Sequence, residues 1–373
     1  MNIPAEFILQ RQGKLSAALQ AAGLNALALN PGPSLTYLTG LHFHLMERPI
    51  VALFTRDTPP KLILPELETA KLSNLPYTIH ATTYGEDPTT WPQRFSEAFG
   101  SLGPAKVGVE YLSMRLVEYK MLQSALPDAD YMDATQTVAK LRMYKDQQEA
   151  EDMQKAVQIA EAALEATLPM VTVGMTEKEV AGMLVQNLLK FGSAGEMPFQ
   201  PIVSTGPNGA NPHAAPSERK LAVGDLLVID FGASHNDYFS DITRTFAVAE
   251  YSPEQEKVHQ TVLAANLAAQ AVVAPGTPCG EVDKAAREVI TAAGYGEYFT
   301  HRTGHGLGRE SHEEPYMRAG NPMPLEPGMT FTIEPGIYLP DRFGVRIEDN
   351  ILVTSSGMKS FSTFPREIQV IGG

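Results

Sequence analysis

The chain has 373 residues, with 43 Asp and Glu against 29 Lys and Arg, a formal charge of −14. Its length exceeds the usual single-domain size, so two domains are expected, and the acidic balance argues against a nucleic-acid backbone or an anionic membrane as partner. Cys279 is the only cysteine, which excludes an intrachain disulfide. The N-terminal text shows no positive leader before an apolar core, and no run approaches ~18 uninterrupted apolar residues, so a cytoplasmic protein is expected.

Apolar positions at helical spacing (Phe7, Ile8, Leu15, Leu19) predict a helix over 5–22, with Gly23 as its stop signal. Short strands are predicted at 24–29, 50–54 and 61–64, separated by the turn-rich Asn30-Pro-Gly-Pro33 and Asp57-Thr-Pro-Pro60. A helix end at 96–100, a strand at 106–109, a helix over 113–125 and a strand near Tyr131 follow. This alternation predicts an α/β domain over residues 1–141, with a second domain over 142–373.

From Asp146, the predicted N-cap, the text DQQEAEDMQKAVQIAEAALEATLPMV reads as a long helix. The segment Val173–Val180 is echoed about a hundred residues later by Ala274–Val282. Each follows a long helix and starts another, which predicts a duplicated helix-turn-helix plus sheet unit.

The stretch Leu226–Phe246, LLVIDFGASHNDYFSDITRTF, reads as a hairpin with one acid in each arm. If it is symmetric about His235-Asn236, Asp230 and Asp241 face each other with Cβ atoms roughly 5 Å apart. Flanked by Ile229, Phe231 and Ile242, such a pair needs a shared proton, a neutralising cation or the free access to water of a wet hairpin face. A second predicted hairpin, Thr330–Val353, carries Glu334 and Glu348, and His301-Arg-Thr-Gly-His305 precedes it. Five oxygen or nitrogen ligands from three segments point to a two-metal site.

Arg346 and Glu348 are two apart, so a strand over 345–353 puts both on one face, with Asp349 on the other. An ordinary ion pair between Arg346 and Glu348 is the plain reading. His301 and His305 have the i, i+4 spacing of helical zinc sites, yet Gly304, Gly306 and Gly308 would each weaken a helix by about 1 kcal/mol. An irregular loop is predicted, in which the glycines let backbone approach a ligand. His213 and His312 complete the set, while His42, His44, His80, His235 and His259 read as structural or solvated.

In the contexts IDFG, SDITRT, TGHGLG, TIEPGIY and VRIEDN, residues 142–373 resemble the pita-bread dinuclear metallopeptidases. With its N-terminal domain, the whole chain is similar to the Xaa-Pro peptidases, prolidase and aminopeptidase P. The resemblance implies an α+β pita-bread catalytic domain with internal duplication, of the creatinase and aminopeptidase type. It is preceded by a smaller α/β creatinase-type domain concerned with substrate access and oligomer contacts. Two divalent ions are implied, Mn²⁺ first, with Co²⁺ or Zn²⁺ as alternatives. Asp230 would hold one ion, Asp241 and Glu348 both, and His305 with Glu334 the second.

Glu334 would also carry the proton to the leaving nitrogen. His213 and His312 would stabilise the oxyanion and orient the substrate, His301 would shape the proline side, and Arg346 would act electrostatically beside them. The implied substrates are short proline-containing peptides cut before proline, and the implied assembly is a homodimer. A dipeptidase must also recognise the carboxylate after proline, for which Arg48 is the candidate cation, although it equally fits an ordinary surface pair with Glu47. Prolidase is the preferred reading and aminopeptidase P, acting on longer peptides, the alternative. Metal-free creatinase-like hydrolases and peptide-binding relatives share the fold, and the five intact ligands count against both.

Overall fold

Leu27 and Leu29 alternate with Ala26 and Ala28 in a strand that exposes none of them, the pattern of a strand covered on both faces. In the computed structural model, which describes residues 4–373, that strand lies inside a six-stranded sheet. The chain divides into two units, Met1–Arg142 and Met143–Gly373. The first runs α1 (Ala5–Ala21), β1 (Ala26–Leu29), α2 (Pro33–Thr39), β2 (Val51–Thr55), β3 (Lys61–Pro65) and β4 (His80–Tyr84). It continues with α3 (Trp91–Phe99), β5 (Lys106–Val109), α4 (Leu116–Ala125), β6 (Asp130–Asp133) and α5 (Thr135–Met143).

The sheet order is β4-β3-β2-β1-β5-β6, with β1 antiparallel to β2 and parallel to β5. Leu15, Leu19, Leu35 and Val138 pack against Leu27 and Leu29 on one face, and Phe95, Phe99 and Leu122 against Ala26 and Ala28 on the other. This is the expected α/β arrangement. Three elements were not expected from the text. Pro33, read as part of a turn, opens α2, where its missing N–H costs nothing. The edge strand β4 is too polar to show a pattern, and α5 is short and mixed.

The second unit starts with α6 (Gln147–Thr167), whose N-cap Asp146 forms a capping box with Glu149, and α7 (Glu177–Lys190), boxed the same way by Thr176 and Glu179. There follow β7 (Ile202–Thr205), β8 (Leu226–Phe231), β9 (Ser234–His235), β10 (Tyr238–Phe239) and β11 (Ile242–Val248). Then come α8 (Pro253–Ala271), α9 (Cys279–Ala292), β12 (Gly304–Gly306), β13 (Glu313–Met317) and β14 (Thr330–Ile333). The unit ends with β15 (Gly336–Leu339), β16 (Phe343–Arg346), β17 (Asp349–Thr354), β18 (Gly357–Ser360) and β19 (Val370–Ile371). Residues of α6 and α7 share one core with β8 and β11, and residues of α8 and α9 share the other with β14 to β17.

The predicted duplication is visible in the hydrogen bonds. Gly174 donates to the Leu221 carbonyl and Leu221 to that of Met175; Gly276 donates to the Leu325 carbonyl and Leu325 to that of Thr277. Both glycines have the left-handed φ, 91° and 89°, that lets the chain turn from one helix into the next. The match continues three residues past each leucine, where Gly224 bonds Val248 and Gly328 bonds Val353. Asp230 and Glu334 each lie six residues beyond those second glycines, so two of the candidate ligands occupy equivalent places in the two halves.

Candidate metal centre

The first hairpin turns one residue later than symmetry about His235-Asn236 predicts. Asn236 and Asp237, both with positive φ, form its tip, and Tyr238 pairs with His235. In that register Asp230 pairs with Thr243, while Asp241 falls level with Gly232, just before β11. The correction moves the partner by two positions, which keeps both acids on one face. They are diagonal neighbours rather than directly opposed.

Asp241 lies where the strand is broken between β10 and β11. Its backbone N–H donates to the Asn350 side-chain oxygen at 3.0 Å, and the Asn350 amide donates to the Asp241 carbonyl, so this side chain replaces a missing ladder partner. The second hairpin is broken in the same way. Its outer strands β14 and β17 pair with each other, β15 and β16 form a separate inner hairpin, and Glu334 and Glu348 sit at the two breaks. From α8, Asn266 donates to the carbonyls of Ile333 and Ile347, the residues preceding both glutamates. Breaks of this kind free a side chain from the strict alternation of a strand.

Asp230, Asp241, His305, Glu334 and Glu348 line one cavity of about 510 Å³, together with His213, His301, His312 and Arg346. Ligand atoms of Asp241, His305 and Glu348 lie within 4.8 Å of one another. Burial, then the charges of neighbouring carboxylates, Glu348 first for Asp241 and Glu334 first for Glu348, push both pKa values well above the usual range. At Glu334 burial works against the charge, yet the hydrogen bond and charge of His305 hold the carboxyl down at about 2.

The residues fit a cation on two further counts. Asp230 Oδ1 is buried with no hydrogen-bond partner. His305 Nδ1 lies 3.1 Å from the Gly306 carbonyl, an acceptor only, so this nitrogen carries the proton. Nε2 then faces Glu334 Oε1 at 3.1 Å and Asp241 Oδ2 at 3.7 Å. A lone pair against two carboxylates is satisfied by a second proton or by a metal ion between them.

Arg346 is not the direct partner of Glu348. Its Nη2 donates to Asp230 Oδ2 at 2.6 Å, and it reaches Glu348 only through Thr243, which accepts from Arg346 Nε and donates to Glu348 Oε2. The strand break at Ile347 removes the shared face that the alternation predicts. Arg346 Nη1 also donates to Tyr338, whose hydroxyl bonds His301 Nε2 at 2.8 Å, while Nδ1 of that ring meets the Arg302 carbonyl. Burial lowers the pKa of His301, which keeps the imidazole neutral and able to accept from Tyr338.

The His312 ring packs on that of His305 with centroids 3.9 Å apart, and desolvation, then His305, lowers its pKa. His213 is exposed at the pocket wall. The glycines around His305 have a different use from the predicted one. A Cβ on Gly304 would run into the Thr332 carbonyl, and one on Gly306 into that of Glu314, so they admit neighbouring strands. In the first unit, Arg48 holds Glu86 through Nε and Nη2 and Glu47 through Nη1, the surface pairing left open above.

Sequence reasoning missed Thr243, Tyr338, Asn266 and Asn350. Only Thr243 carried a signal, since alternation from Asp241 puts it on the acids' face.

A duplicated α/β unit whose acids and imidazole meet in one buried pocket defines a metal-dependent hydrolase. Residues 151–355 match metallopeptidase family M24, and residues 11–144 the Creatinase/Prolidase N-terminal domain. A probable dipeptidase PepE of Mycobacterium bovis is 36% identical over 98% of this chain and 97% of its own. An Xaa-Pro dipeptidase of Lactobacillus helveticus is 31% identical over 96% and 98%. The crystal structure of a prolidase from Thermococcus sibiricus superposes with a TM-score of 0.91 at 33% identity, covering 97% of this chain and 99% of that one. The chain belongs to metallopeptidase family M24, with a creatinase/prolidase-type N-terminal domain, and its catalytic unit has the pita-bread fold.

Proposed function

We propose that this chain is an Xaa-Pro dipeptidase that hydrolyses the bond before proline in a short peptide. The observation that carries the reading is the pocket itself, where four carboxylates and one imidazole converge and Asp230 Oδ1 has no protein donor. Asp230, Asp241, His305, Glu334 and Glu348 would hold two divalent ions, for which the hard, oxygen-rich donor set favours Mn²⁺ over Co²⁺ or Zn²⁺. Such ions supply Lewis acidity that lowers the pKa of water and polarises the scissile carbonyl.

The chain's own groups then divide the work. Glu334, kept ionised beside His305, accepts a proton and passes it to the leaving proline nitrogen. His312 and His213, on the wall of the same cavity, orient the peptide and stabilise charge developing on its carbonyl oxygen. His301, held neutral between Tyr338 and the Arg302 carbonyl, shapes the proline side. Arg346 ties Asp230 to Tyr338 and Thr243, so one guanidinium orients both sides of the pocket.

Preference for a dipeptide requires a cation that pairs with the carboxylate after proline. Arg48 remains a proposal for that role and would have to leave Glu86 and Glu47. Arg302 and Arg318 line the cavity within the catalytic unit and compete for the same assignment. We further propose a cytoplasmic homodimer that binds neither nucleic acid nor membrane, a reading supported by the acidic balance of the chain.

Hydrolysis of Ala-Pro, Ala-Pro-Ala and Met-Ala-Ser with added Mn²⁺ tests the reading. Cleavage of Ala-Pro alone or foremost supports it, preferential cleavage of Ala-Pro-Ala moves it to aminopeptidase P, and cleavage of Met-Ala-Ser alone removes proline from it. Repeating the series on Arg48→Ala, Arg302→Ala and Arg318→Ala assigns the carboxylate partner, because only the correct variant loses the length preference.

A further inference from the structure

Helix α9 contributes nothing to the pocket lining, yet its inner edge carries a fully buried acid, Asp283, and one turn later Arg287. Arg287 donates through Nε and Nη2 to the two Asp283 oxygens at 3.1 and 3.0 Å. Its remaining reach goes to the loop before β12, with Nη1 3.0 Å from the Phe299 carbonyl and Nη2 2.9 Å from that of His301. The guanidinium also lies 4.3 Å over the Phe299 ring, which meets His301 edge-on. Asp283 Oδ1 accepts from both the N–H and the hydroxyl of Thr303. The carbonyl of Thr303 in turn accepts the backbone N–H of Glu334 at 2.8 Å.

We propose that Asp283 and Arg287 are positioning residues for the reaction, a clamp that fixes His301 on the substrate side and Glu334 on the metal side through the 299–303 backbone. The inference rests on the peptidase reading and deepens it. The loop has no strand partner at these points: its carbonyls at 299 and 301 accept from Arg287 on a helix. Two carbonyls and a carboxylate spread over this geometry match the planar fork of an arginine. A lysine ammonium, with three donors at one point, cannot serve all three.

Arg287 is about one-third exposed, so its variants fold more readily than those of the fully buried Asp283. Arg287→Lys and Arg287→Met are each expected to lower kcat/KM for Ala-Pro by on the order of tenfold or more, the range for outer partners of a metal site. The exposed neighbour Lys284→Ala should leave it unchanged. Combined with His301→Ala, Arg287→Met should cost clearly less than it does alone, because the part of its effect that runs through the His301 ring is already lost and only the part that runs to Glu334 remains. In the metal-free protein, amide hydrogen exchange over 299–306 should rise roughly tenfold in both Arg287 variants, the readout of a local opening. Full activity of Arg287→Lys, multiplicative losses in the double variant, or unchanged exchange would each overturn the clamp. A wild-type chain that cleaves no proline peptide would refute the peptidase reading, while the exchange measurement would still decide the clamp.

Discussion

Asp241 stands among Glu348, Asp230 and Glu334, and burial with this repulsion raises its pKa well above the carboxylate range. Replacing it by asparagine removes a candidate ligand and a source of repulsion together. Asp241→Asn is therefore expected to lose bound metal and activity by at least about a thousandfold, while the metal-free variant melts higher, a gain of about 1–2 kcal/mol. Metal analysis and calorimetry on the same sample check both halves. His259 gives the pH prediction. It is 2% exposed, its Nε2 has no hydrogen-bond partner, and burial lowers its pKa to about 4. The folded protein resists a proton that the unfolded chain accepts near 6.5. Stability attributable to His259 is thus present above pH ~6.5, falls on acidification toward pH 4, and flattens below, a change on the order of 3 kcal/mol. In His259→Leu, denaturation midpoints between pH 6.5 and 4 should lose that component. At this scale the metal candidates were legible because each acid has a distinctive local text, such as SDITRT or TIEPGIY. Tyr338 and Thr243 were not, since their roles arise from contacts between sheets, Arg346 with Thr243 being 103 residues apart.

Strand breaks carry the site at the next scale. Asn350 and Asn266 substitute side-chain amides for ladder partners at Asp241, Glu334 and Glu348. Asn350→Ala leaves the buried Asp241 N–H unsatisfied and should cost about 1–3 kcal/mol. Denaturant titration measures that cost, and an unchanged midpoint would remove the surrogate-ladder role. Helices and strands with strong periodicity, such as α1, α6 and β8, were readable from the text. The register of the first hairpin was not, because its turn residues His235, Asn236 and Asp237 all suit a tip and only the packed sheet selects Asn236-Asp237. The second hairpin reads as one pair of arms although it folds as two, since nothing local marks Ile347 as a break.

Across the whole molecule, the duplication was announced by the echo around Gly174 and Gly276, whose left-handed turns are a strong local signal. The second half, with its own candidate ligands, then follows from the first. The first unit has no such text: alternation gives its α/β class and the resemblance of the second unit its creatinase type, so its polar or short elements escaped. That unit leaves Leu45, Met46, Tyr111, Leu112 and Leu116 exposed, Leu112 by 94%, on two loops and the first residue of α4, with Arg115 donating to the Met46 carbonyl. An apolar surface of this kind fits the proposed homodimer. Sedimentation should show a dimer for the native chain and a monomer for Leu112→Asp with Leu116→Asp; a native monomer would remove the surface's assignment.

Metal stoichiometry tests the account most directly. After removal of bound ions and titration with Mn²⁺, the native chain should bind two ions per subunit and regain Ala-Pro hydrolysis in step with loading. Glu348→Gln should bind fewer and regain none. A fully active protein without divalent metal, or a Glu348→Gln variant that binds two ions as tightly as the native chain, would contradict it.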